Sequence, residues 1–148
     1  MGRFSLCLML RDLLKAEQPV ILARFQKRAY EWSAPYAVQA ELTAQVSLFV
    51  QQLECLATSE KSPSDNERHC AAISSGAAKH AQALLQYGFP LAQAVNDYGD
   101  VCRVISEVAR ERGAPLSDAE VEILSLGSVS AILAAAEEYG PRAVSPYS

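Results

Sequence analysis

Along this chain the apolar residues recur at three- and four-residue spacing instead of alternating, the periodicity of helices rather than strands. From about Ser5 to Lys15, Leu6, Leu10, Leu13 and Leu14 share one side. Pro19 fits the first turn of a second helix, where its missing N–H costs little, and that helix carries Leu22, Phe25, Ala29 and Trp32. After a break at Ser33-Ala34-Pro35, the residues Leu42, Val46, Phe49, Leu53 and Leu56 make the cleanest core stripe in the protein. Ser62-Pro63-Ser64-Asp65-Asn66 predicts a loop, because four of these side chains compete for nearby backbone groups and the proline has no N–H to donate. A helix from about Glu67 to Tyr87 follows, with Gly88 just beyond its end and Pro90 in the first turn of the next, which runs to about Arg112 and stops at Gly113. Ser117 and Glu120 form a capping-box pair, so the last helix spans about Asp118 to Tyr139 and ends at Gly140-Pro141. The pattern predicts an all-α, single-domain bundle of five to six helices over residues 1–140, with 141–148 as a C-terminal tail.

Two of these helices carry more apolar surface than one contact requires. Leu91, Val95, Tyr98, Cys102 and Ile105 form one stripe, and Val101, Val104 and Val108 lie about a quarter turn further round. In the last helix Val121, Leu124, Ile132, Ala135 and Tyr139 face one way, while Leu126 and Leu133, flanked by Ile123 and Val129, face the other. A helix apolar on two sides is either central or covered by another subunit. The reading adopted is a homodimer interface made by Val101, Val104, Val108, Leu126 and Leu133. The alternative is that a short helix from the N-terminus covers the helix near the end of the chain.

A length of 148 residues suits one domain, and 50% apolar with 20% charged residues is a globular composition. The net charge of −4 leaves no basic surplus for phosphate backbones, and the densest cationic group, Arg24, Lys27 and Arg28, fits the outer face of one helix, so no nucleic-acid partner is expected. Cys7, Cys55, Cys70 and Cys102 show no metal or disulfide spacing and read as buried free thiols of a reducing compartment, with a redox sensor as the alternative. The apolar stretch Phe4 to Leu10 is followed at once by Arg11 and Asp12 without a cleavage site, and no apolar run approaches spanning length. The expectation is a cytoplasmic protein without membrane attachment.

No phosphate-binding, dinucleotide, zinc-protease, hydrolase or di-iron motif is present, and with His69 and His80 as the two histidines no metal spacing emerges, so neither catalysis nor a metal site is expected. His80 has Ile73, Ala77, Leu84 and Tyr87 as its helical neighbours and points inward. One reading is a core histidine bonded to an adjacent helix. The other is a ring lining a small cavity with Asp97 or Asp100 as carboxylate partner, for which haem ligation is a variant. A His-phosphotransfer bundle needs an exposed ring, and Ala81-Gln82-Ala83 lacks the lysine expected after one.

Taken together, Ala78-Lys79-His80, Tyr87-Gly88-Phe89, Leu91, Asp97-Tyr98 and Cys102-Arg103-Val104-Ile105 resemble the signature of the RsbRD-type N-terminal domain, a bacterial sensory family. The resemblance runs in outline from Leu13 to Tyr139, with Asp97 where Glu is more usual and Gly99 inside a helix. It implies an all-helical, globin-like input domain that binds no haem, is often dimeric, and acts in signal transduction on a histidine kinase or a stress-signalling complex. A haem- or small-ligand-binding globin-like sensor and a phosphotransfer bundle are the alternatives. His80, Tyr87, Phe89, Asp97, Tyr98 and Cys102 are the residues that would line its sensory pocket.

Overall fold

The computed structural model describes residues 2–29, 35–58 and 63–140; the side chains of 2–9, 29 and 36 are outside the description. Trp32, the Ser33-Ala34 break, Ser62 and the tail from Pro141 therefore lie outside the described residues. The described residues form five helices: α1 (Gly2–Ala29), α2 (Tyr36–Thr58), α3 (Pro63–Gln86), α4 (Leu91–Glu111) and α5 (Asp118–Tyr139). Among the described residues there is no strand, and the all-α bundle predicted from the periodicity is what the chain forms.

The first two expected helices are one. Pro19 lies inside α1, where its ring is exposed. A proline in a helix interior removes one i to i−4 bond and crowds the preceding turn. Leu10, Leu14, Ile21 and Phe25 keep a continuous buried stripe on either side of the proline, and this packing holds the two halves in one helix. The loop expected at 62–66 is also corrected from Pro63 onward. Pro63 takes the first helical position and Asp65 lies in the first turn, ion-paired to Arg68 at 2.6 Å. Ser, Asp and Asn suit a loop and a helix start for the same reason, their short acceptors serving unpaired backbone N–H groups.

Other boundaries follow the turn chemistry. At Gly88 (φ 81°) the amides of Gly88 and Phe89 donate to Leu85 and Leu84, and at Gly113 (φ 72°) those of Gly113 and Ala114 donate to Arg110 and Ala109. Both are Schellman ends, which need a left-handed residue beyond the cap. Ser117 and Glu120 cap α5 reciprocally.

Bonds between the helices set their directions. Arg24 pairs with Glu111, Arg28 with Glu107, and Arg112 with Glu17, so α1 runs antiparallel to α4. Arg24 and Arg28, two of the three cations read as an outer face, thus clasp α4. Ser74 to Ser130 and Gln82 to Glu138 share one offset of 56 residues, so α3 and α5 are parallel. α5 touches all four other helices. Its buried stripe is Glu120, Leu124, Gly127, Ala131 and Ala135, mostly small, which lets its backbone come close. A Cβ at Gly127 would collide with Leu53 of α2.

By length and apolar composition α5 qualifies as a helix able to cross a membrane, which corrects the expectation that no run approaches that length. A third (33%) of its most apolar stretch is buried against the rest of the fold.

Candidate functional site

The polar centre of the molecule forms where α2, α3 and α4 meet. His80 on α3 is 1% exposed and Asp97 on α4 is fully buried. The Nε2 atom of His80 lies 2.7 Å from Oδ2 of Asp97, and Nδ1 lies 2.5 Å from Oε1 of Gln45 on α2. Gln93, one turn before Asp97, donates from Nε2 to Oδ1 of Asp97 at 2.9 Å. Tyr98 closes one side, its ring edge-on to those of His80 and Phe49 at centroid distances of 5.7 and 4.7 Å. Each polar atom of the two central side chains has a partner, as buried polar groups require. Burial pushes the Asp97 carboxyl up, against the opposing pull of His80 and then of Gln93. Burial raises the Tyr98 phenol too, with the charge of Asp97 adding to it.

The two alternatives for the carboxylate partner resolve to Asp97. Asp100 instead faces Arg28 and Arg103. Of the six residues expected to line a sensory pocket, His80, Asp97 and Tyr98 come together and the other three do not. Tyr87 is exposed and donates its hydroxyl to Glu41. Phe89 is half-buried, and its carbonyl accepts from the Tyr139 hydroxyl at 2.7 Å. Cys102 is half-buried on the opposite edge of α4, where its sulfur lies 2.9 Å from Oγ of Ser128 and burial raises the thiol.

A phosphoryl acceptor must reach solvent, and the His80 ring does not. A haem iron would have to displace Asp97 or Gln45 from that ring. Among the described residues no three His, Cys, Asp or Glu side chains converge. The thiols are less buried than expected: Cys55 is exposed, Cys70 and Cys102 are half-buried, and the side chain of Cys7 is outside the description.

The expected interface divides. Val101, Val104 and Val108 are fully buried within the chain, in the core that α4 shares with the helices packed around it, which corrects their assignment to a subunit interface. Leu126 and Leu133 are exposed at 43% and 60%, with Val129 at 53% and Val121 at 47%. On a helical wheel Leu126, Val129 and Leu133 lie directly opposite the buried stripe of α5. Beside them, Cys102, Ser106, Val121, Leu124 and Ser128 line an open groove of about 340 Å³ between α4 and α5. Glu122 and Glu137 lie at the two ends of the apolar seam, and Arg103 and Arg110 are exposed on α4.

Gln45, Gln93 and Gly127 were missed from sequence. Gln93 stands four residues before Asp97, a spacing that signals a side-chain pair on a helix. Gln45 interrupts the core stripe three residues after Leu42, and a polar residue at that register signals a buried partner. Comparison of the chain with family models, with curated proteins and with solved structures finds no match.

Proposed function

We propose that this chain is a non-catalytic regulatory module that works by pairing through the outward face of α5, the pair biasing a signalling partner. The observation that carries it is the row Leu126, Val129 and Leu133, exposed opposite a fully packed inner stripe. Single exposed leucines need no explanation, whereas a contiguous apolar seam on one helix marks an interaction surface. Val121 and the α4–α5 groove widen the seam.

A second copy suits this face in charge as well as in shape. The α5 edge presents Glu122 and Glu137 and the α4 edge presents Arg103 and Arg110, so a two-fold related copy can set cations against carboxylates in both directions at once. The resemblance to RsbRD-type domains supports a signalling setting, with a histidine kinase or a stress-signalling complex as the partner. A buried, fully bonded His80 supports a role in holding the helices, from which a signal would act by favouring one helix arrangement over another.

The test is light scattering of the purified chain across a concentration series, beside Leu126→Glu/Leu133→Glu. The expected result is a dimer that the double substitution converts to a folded monomer. A wild type that stays monomeric at high concentration would remove the basis for this function.

A further inference from the structure

Both ring nitrogens of His80 face oxygen, and this limits how many protons the buried cluster holds. An amide oxygen cannot donate, so in the orientation the Gln45 amide takes here the contact from Nδ1 to Oε1 calls for a proton on Nδ1. The contact from Nε2 to Oδ2 of Asp97 needs a second proton, whether it rides on the ring or on the carboxyl. Gln93 supplies a donor to Oδ1, the other carboxylate oxygen. In either arrangement the pair holds two protons and no net charge. That is the form a site with 1% and 0% exposure favours.

We propose that His80 and Asp97 act as one two-proton latch joining α2, α3 and α4, and that raising the pH opens this joint by removing one of those protons. With one proton left, the pair carries a buried negative charge and the Nδ1 lone pair meets the Gln45 oxygen. The Gln45 amide must then rotate to present its NH2 group, and the joint to α2 is remade or lost. Other groups facing the pair do not neutralise that charge. On α4, Asp100 adds a further negative charge and Tyr98 a phenol; on α5, Tyr139 is the titratable group coupled to Asp97. From α2 come Gln45 and Phe49, both uncharged, and from α1 Arg28, which reaches the neighbouring Asp100, is engaged by Asp100 and Glu107. The latch lies inside one protomer and stands whether or not two copies pair.

The sign follows from counting. Unfolded, an imidazole titrates near about 6.5 and an aspartate near about 3.9, so between those values the open chain also holds two protons on these residues. Above about pH 6.5 the unfolded chain holds one and the folded pair still holds two, so folding takes up a proton and stability falls as pH rises, until the folded pair loses its own. One proton changes the unfolding constant tenfold per pH unit.

The experiment is denaturant unfolding of the full chain from pH 6.5 to 9, beside Asp97→Asn, which keeps the shape and the Gln93 bond but can hold no acid proton. The expected result is a wild-type unfolding constant that rises towards tenfold per pH unit, with that contribution missing from Asp97→Asn. A second measurement needs no variant: nitrogen-15 spectra of histidine-labelled protein at pH 7 should show Nδ1 of His80 protonated. Matching pH slopes in wild type and Asp97→Asn, or an unprotonated Nδ1 at pH 7, would overturn the proposal.

Discussion

Gly127 lies where α5 is pressed against Leu53 of α2 and Ile73 of α3, with no room for a side chain. Gly127→Ala is expected to destabilise the fold by about 1–2 kcal/mol, the strain of overpacking outweighing the ~1 kcal/mol that alanine gains in helix propensity. Denaturant midpoints at constant slope would measure it, and a stabilised variant would show that the close contact is not what holds α5. At His80 the inward direction is legible from its apolar neighbours at helical spacing, but the choice between Asp97 and Asp100 is not. Both acids lie on the helix that packs beside it, and only the rotation of α4 decides which one meets the ring. That rotation is set by the burial of Val101, Val104 and Val108 in the shared core and by the ion pairs of α1 with α4, long-range contacts that local periodicity does not encode.

The elements divide into those whose ends carry their own chemistry and those held by packing. Capping at Ser117 and the left-handed glycines 88 and 113 stop or start helices by local bonds alone, which is why these ends are readable from sequence. Ser117→Ala is expected to cost about 1 kcal/mol, read from the midpoint of thermal or denaturant unfolding. Pro19 is the opposite case. The proline signals a helix start, yet buried residues on both sides override it and α1 continues. Pro19→Ala is therefore expected to stabilise the chain by about 1–3 kcal/mol, since the exposed ring contributes no packing and the backbone bond returns. A neutral or destabilising result would show that the proline itself contributes to the packing of α1 on α2 and α4.

At the scale of the whole molecule, two sets of ionisable groups act on stability at opposite ends of the pH range. Glu17 and Glu111 are held below the usual carboxylate range by bonds from Arg112 and Arg24, so the α1–α4 seam contributes above their ordinary values and is lost as pH falls through the lowered ones. Asp97 is raised, chiefly by burial, so its contribution runs the other way and is lost as pH rises through its folded value. The two-sided character of α4 and α5 was readable from the apolar pattern, but what covers each second side was not. For α4 it is the rest of the bundle, and for α5 none of the described residues covers Leu126, Val129 and Leu133. The proposed pairing role rests on that exposed face, and light scattering tests it most directly. Wild type should run as a dimer that Leu126→Glu/Leu133→Glu separates into folded monomers; a wild type monomeric throughout the concentration range would contradict the account.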